Sequence, residues 1–190
     1  MDLKFGTDGI RGPVQTEITP EVCLRIGHAT GIVLKQEGLD TVMIGKDTRV
    51  SGYMLEAALE AGFIAAGINV RLLGPIPTPG VAYLTKTFRK QFGLVISASH
   101  NSFLDNGIKI FDANGIKISR DIELRIEKIL KNNLDLVETL SLGKAESFHE
   151  STARYIEFCK STVPADITFN NLRIVVDCAN GACYKVSPAV

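Results

Sequence analysis

The segment Ile96-Ser97-Ala98-Ser99-His100-Asn101 places two hydroxyls, an imidazole and an amide at the end of an apolar run. A serine hydroxyl becomes a nucleophile only with a base or an electrophile beside it, and His100 is adjacent to Ser99. A hydrolase triad is a poor account of this, because no GxSxG elbow is present. Ten residues beyond Ser99 lies Lys109, which alternation places on the opposite sheet face from Ile108 and Ile110. Hydroxyl, imidazole and ammonium converging in one cleft suit phosphoryl transfer, where the protein supplies positioning, charge neutralisation and a proton acceptor. Taken alone, the same residues also read as a polar turn at a strand end.

Two other segments could meet an anion. FGTDGIRG at 5–12 sets three glycines around Arg11, so that backbone N–H groups near Thr7 and Gly9 can approach a phosphate and the guanidinium can bind it bidentately. An Asp-Gly hairpin turn with a solvated arginine explains that stretch equally well. GKDTRVSG at 45–52 carries Lys46 and Arg49 between a strand end and a helix start, where the helix dipole favours negative charge. A capped loop with surface charges is the alternative.

The elements that must hold these residues alternate. Thr19-Pro20-Glu21 has the chemistry of a helix start, and Val22, Ile26, Val33 and Leu34 recur at helical spacing up to Gly38, predicting a helix over 19–37. Residues 41–45 read as a strand, 52–67 as a helix capped by Ser51, and 69–73 as the next strand. GPIPTPG at 74–80 reads as an irregular loop that its three prolines keep out of helix and sheet. A helix over 81–90 and a strand over 93–97 follow. NGIKI occurs at 106–110 and again at 114–118, which predicts an edge hairpin turning through 112–115. Helices over 119–130 and 151–162 flank a polar connection at 131–150, and 172–177 reads as a strand. The pattern predicts a three-layer α/β/α domain with a mainly parallel mixed sheet over 1–150. Residues 151–190 read as the truncated beginning of a second α/β domain, since one strand and one helix bury too little to stand alone.

Composition narrows the function. The chain has 190 residues, 45% hydrophobic, with 21 Lys plus Arg against 21 Asp plus Glu, which is the balance of a globular protein. Zero formal net charge argues against nucleic-acid binding, which needs a surplus of cations. No apolar run reaches the length of a membrane span, and the start lacks the apolar core of a secretory signal, so the expected location is cytoplasmic. The four cysteines (Cys23, Cys159, Cys178 and Cys183) form no CxxC pair and read as reduced thiols.

FGTDGIRG at 5–12, GKDTRVSG at 45–52, GPIPTPG at 74–80, ISASHNSFLDNGIKIF at 96–111 and RIVVDCANGA at 173–182 occur in the order of the α-D-phosphohexomutase superfamily. Across its whole length the chain resembles that superfamily, most closely its bacterial phosphoglucosamine mutases. The resemblance implies interconversion of the 6- and 1-phosphates of glucosamine, a small hexosamine phosphate, on the route to the UDP-sugar of cell-wall synthesis. By position, it makes Ser99 a phosphoserine that exchanges its phosphoryl group through a 1,6-bisphosphate of glucosamine or glucose. It gives His100 and Lys109 phosphate contact and proton transfer, gives Arg11 the orienting of the phosphoserine, and adds Thr7, Gly9, Lys46, Arg49 and Asn101 as phosphate or substrate contacts. It also implies a magnesium ion held through the phosphate of Ser99, with its remaining ligands outside this chain, so that residues 1–190 alone are expected to be inactive. A homodimer is compatible with it. Other members acting on mannose or glucose phosphates, and a non-catalytic sugar-phosphate-binding module, are the alternative readings. The chain departs from the superfamily at Ser102, where a proline is usual.

Overall fold

The computed structural model describes residues 3–89, 91–132 and 138–190. Six strands form one mixed sheet: β1 (Ile10–Pro13), β2 (Thr41–Lys46), β3 (Asn69–Pro75), β4 (Phe92–Ile96), β5 (Asp105–Phe111) and β6 (Ala145–Ser147), in the order β1-β5-β4-β2-β3-β6. The pairs β4/β2, β2/β3 and β3/β6 are parallel, and β1/β5 and β5/β4 antiparallel. Alternation along the central strands divides the core. Val42 and Ile44 of β2 and Leu94 and Ile96 of β4 face one layer, formed by α1 (Pro20–Gln36), α2 (Ser51–Ala65) and α4 (Arg120–Leu130). Met43 and Val95 face the other, where Val81 and Leu84 of α3 (Thr78–Phe88) and Tyr155 of α5 (Ser151–Ser161) complete a second cluster. The three-layer α/β/α architecture is therefore the one the sequence implies.

Local chemistry sets the helix ends. Thr19 caps α1 by accepting from the Val22 N–H at 3.2 Å, with Pro20 in the first turn, and Ser119 caps α4 through the Ile122 N–H. Ser51 does not cap α2. Val50 occupies that position without a side-chain bond, and the Ser51 hydroxyl instead accepts from Asn106 Nδ2 at 2.9 Å.

Three further expectations need correction. The proline-rich stretch is mostly ordered: β3 runs through Pro75, opposite Lys46, and α3 begins at Thr78 with Pro79 in its first turn. The N–H that Pro75 lacks would point toward β6, whose pairing covers only Val70–Leu72, so no ladder bond is lost. The second NGIKI copy does not form a strand. The return arm makes an isolated bridge between Phe111 and Lys117, and the outer side of β5 is covered by β1 rather than exposed as an edge. Residues 172–177 form no strand, and none of the described strands offers them ladder partners.

Connectivity places the functional end of the sheet. The chain leaves β2 for a helix on one face and β3 for a helix on the other, so the helices part at the carboxyl ends of these strands and leave a crevice there. The loops after β2, β3 and β4 all open into it.

Candidate active site

A cleft of about 1100 Å³ lies at those carboxyl ends, lined by Asp47–Ser51 from the β2–α2 loop, Pro77–Pro79 from the start of α3, and Ser97, Ser99, His100 and Asn101 after β4. Ser99 is exposed, and its Oγ lies 3.4 Å from His100 Nδ1. Its φ of +59° is left-handed, a conformation that a serine keeps only when its surroundings hold it there.

Those surroundings form a chain of bonds leading back into the sheet. The Ser99 N–H donates to Ser97 Oγ at 3.0 Å, and Ser97 Oγ donates in turn to Asp47 Oδ2 at 2.7 Å. Asp47 extends β2 alongside β4 through its N–H to the Ile96 carbonyl, and its carboxylate accepts from Arg49 N and Arg49 Nε, both at 3.0 Å. The remaining guanidinium donors of Arg49 all meet the serine loop. Nη1 donates to the carbonyls of Ser102 and Asp105, and Nη2 to those of Ser99 and Asn101 at 3.0 and 2.9 Å. Asn101 Nδ2 donates to Asp105 Oδ2 at 3.1 Å and closes the loop on itself. Ser102, standing where the superfamily usually has proline, stiffens the turn differently, its hydroxyl accepting from the Leu104 N–H at 3.3 Å.

Lys109 lies next door. Together with Thr7 and Gly9 it lines a smaller hollow of about 220 Å³, and Thr78 at the start of α3 lines both spaces. The N-terminal segment reaches it through a tight turn closed by Gly6 and Gly9, which bond each other's backbone. Gly9 has φ +88° and lies so close on β5 that a Cβ would run into the Ile108 carbonyl. Arg11 sits across from Gly107, is mostly buried, pairs with Asp8 at 3.3 Å, and leaves its Nε without a partner.

The structure thus gathers Ser99, His100, Asn101 and Arg49 around one cleft and Lys109, Thr7 and Gly9 in the adjoining hollow. Lys46 joins neither. It is buried against α2, ion-paired with Glu56, and its Nζ lies 4.3 Å from the centroid of the Tyr53 ring. Sequence reasoning overlooked Asp47, the hub of the loop. The signal was available, since an aspartate two residues before an arginine at a strand end can bond both the backbone and the guanidinium of that arginine.

The described residues do not by themselves fit a magnesium ion. No cluster of three or more His, Cys, Asp or Glu among them is placed to hold a metal. The two carboxylates at the serine loop are engaged, Asp47 by Arg49 and Ser97, and Asp105 by Asn101. No helix among the described residues is long and apolar enough to cross a membrane.

Residues 2–136 match the family model described as phosphoglucomutase/phosphomannomutase, alpha/beta/alpha domain I. The phosphoglucosamine mutase of Thioalkalivibrio sulfidiphilus is 57% identical over 192 residues, covering 100% of this chain and 43% of the relative. That of Vibrio campbellii is 56% identical over 187 residues, covering 98% of this chain and 42% of its own length. The chain therefore spans less than half the length of these curated relatives. Among solved structures, a phosphoglucomutase/phosphomannomutase family protein from Burkholderia thailandensis superposes with a TM-score of 0.69 at 26% identity, over 80% of this chain and 34% of that one.

Proposed function

The chain belongs to the phosphoglucomutase/phosphomannomutase family, and from that premise we propose that Ser99 is the phosphoryl carrier of a hexosamine-phosphate mutase. The observation that carries this reading is the exposed Ser99 hydroxyl, held in a left-handed backbone at the mouth of the sheet beside His100. In the proposed cycle, the P–O bond to phosphorylated Ser99 breaks as the free hydroxyl of the bound sugar phosphate attacks. This gives a 1,6-bisphosphate. The sugar then reorients, and its other phosphoryl group returns to Ser99 Oγ, leaving the isomeric monophosphate. In the first transfer Lys109 or His100 takes the proton of the attacking sugar hydroxyl while the departing Ser99 Oγ gains one, and in the second the Ser99 hydroxyl gives up its proton while the departing sugar oxygen gains one.

A phosphoserine adds about −1.5 to −2 charge near neutral pH, for which Arg11 and Lys109 are the proposed counter-charges in this segment. The greater identity to phosphoglucosamine mutases supports glucosamine 6-phosphate as the substrate, and with it a cytoplasmic place in UDP-N-acetylglucosamine and cell-wall synthesis. Residues 151–190 are, on the same reading, the opening of a second domain. Mannose or glucose phosphate is the second reading, favoured by the name of the Burkholderia relative.

The test uses the full polypeptide that contains this segment, incubated with glucose 1,6-bisphosphate and mapped by phosphopeptide analysis. Phosphate is expected on Ser99, and Ser99→Ala is expected to abolish both labelling and isomerisation. Lys109→Ala should leave Ser99 in place and slow transfer by about 10²–10⁴-fold, the usual contribution of acid–base catalysis. Label on Ser97 or Ser102 with Ser99 unmodified sinks the assignment.

A further inference from the structure

The geometry points to Arg49, Asp47 and Ser97 as a positioning network for Ser99, with Arg49 holding the serine loop rather than a phosphate of the substrate. The inference rests on the reading of Ser99 as phosphoryl carrier and assigns roles that reading leaves open. An arginine in a cleft that receives sugar phosphates would ordinarily be assigned to bind them bidentately. Here that role is already filled by the protein. A guanidinium has five N–H donors, and each meets an acceptor of this chain: Asp47 Oδ2 and the carbonyls of Ser99, Asn101, Ser102 and Asp105. The Arg49 side chain is only 11% exposed. A phosphate could take one of these donors only by freeing a loop carbonyl.

The acceptors themselves define the function. Three of the four carbonyls belong to Ser99, Asn101 and Ser102 of the turn, and the fourth, that of Asp105, opens β5, which carries Lys109. One planar group therefore fixes the nucleophile's backbone and the root of the strand bearing the proposed acid–base lysine. The second arm acts on Ser99 from the other side. Asp47 orients the Ser97 hydroxyl by accepting its hydrogen bond, which turns an oxygen lone pair toward the Ser99 N–H. Together the two arms hold both the N–H and the C=O of a residue whose left-handed backbone would otherwise relax. Lysine cannot replace Arg49, because an ammonium has three donors around one point and cannot span four carbonyls and a carboxylate.

Two measurements decide the matter. In the full polypeptide, Arg49→Lys and Asp47→Asn are expected to lower kcat by about 100-fold, the effect of displacing a reacting group by roughly 1 Å. KM for the hexosamine phosphate is expected to stay within about threefold, as befits residues that do not touch it. A KM raised tenfold or more with kcat retained overturns the inference and returns Arg49 to substrate binding. Unchanged kcat in both variants overturns it as well. The second measurement needs no activity: hydrogen exchange in the 190-residue chain, where Ser97→Ala removes one hydroxyl with little risk to the fold. It should speed exchange of the Ser99 amide at least tenfold while the amides of Ile44 and Leu94 in the sheet stay protected, and equal exchange in both proteins overturns the inference. If the parent enzyme carries no phosphoserine, the carrier reading fails, and the exchange result still decides whether the network holds Ser99.

Discussion

Lys46 at the end of β2 and Arg49 in the loop after it stand three residues apart and carry the same charge into opposite roles. The loop leaves the sheet between them, so Lys46 turns back under α2 while Arg49 reaches over the serine loop. The Lys46–Glu56 pair is buried, and removing one member of such a pair typically costs about 3–5 kcal/mol because the other charge is left unpaired. Glu56→Gln should therefore destabilise the chain by about 3 kcal/mol in urea unfolding, the Tyr53 ring softening the loss. Adding Lys46→Met to Glu56→Leu should recover most of it, since apolar residues of similar volume often replace a buried pair without loss. A cost below about 1 kcal/mol for Glu56→Gln would mean the ammonium finds another partner. Glu123 gives a pH prediction at the same scale. Burial alone would raise its pKa, but the ion pair with Lys117 at 2.9 Å and the hydrogen bond from Arg120 at 3.0 Å outweigh this and hold its carboxyl below the ordinary glutamate value. A depressed folded-state pKa means that the unfolded chain takes up the proton first. This stabilisation is complete above the ordinary value of about 4.3 and is lost as pH falls through the folded-state pKa. Urea midpoints measured from neutral pH into acid should fall less steeply for Glu123→Gln than for the parent.

At the scale of elements, the layer behind the cleft depends on how closely α1 and α2 approach. A Cβ on Gly62 would strike the Leu24 carbonyl, and one on Gly27 the Leu59 carbonyl, so each helix lays a glycine against the other's backbone. Gly62→Ala gains helix propensity of up to about 1 kcal/mol, but must push the helices apart at an overpacking cost of about 1–3 kcal/mol. A net loss near 1–2 kcal/mol, read as a drop of several degrees in Tm, is expected, and a rise in Tm would show that the crossing yields. Elements with strong local chemistry were legible in the sequence: α1 from Thr19-Pro20-Glu21, α4 from Ser119 and its isoleucines, β2 and β4 from their apolar runs. β1 and β6 were not, because Gly12 and Pro13 look like a turn and Ala145-Glu146-Ser147 has no apolar face; both exist only through a neighbour's ladder. Residues 172–177 failed for the converse reason, having a strand's composition but no neighbour among the described strands. At the site, the positions of Ser99, His100 and Lys109 were legible as motifs. The destinations of Lys46 and Arg49 were not, since charge and spacing do not say which way a loop turns a side chain.

The molecule as a whole is pinned beyond its sheet at two places. α5 packs on α3: Tyr155 is buried with Ile76, Val81 and Leu84, and Tyr83 of α3 stacks on Phe158 with centroids 3.9 Å apart. Near the other end, Val186 enters the same cluster, and the Asn180 carbonyl accepts from Thr48 Oγ1 at the rim of the active-site cleft. Between these anchors, residues 163–177 make only local turns, and Leu172, Ile174, Val175 and Val176 are exposed. Backbone of this kind, with exposed apolar side chains and no ladder, is where a protease enters a native chain. Brief chymotrypsin treatment of the 190-residue chain should therefore cut first within 163–177, after Phe169 or Leu172. The large product should retain α5, because freeing that helix would uncover Tyr155 and the stacked rings. Intact-mass analysis distinguishes the cases. First cleavage before Ser151 would show that α5 is not docked, whereas resistance throughout 163–177 would show that another surface covers these apolar residues in solution.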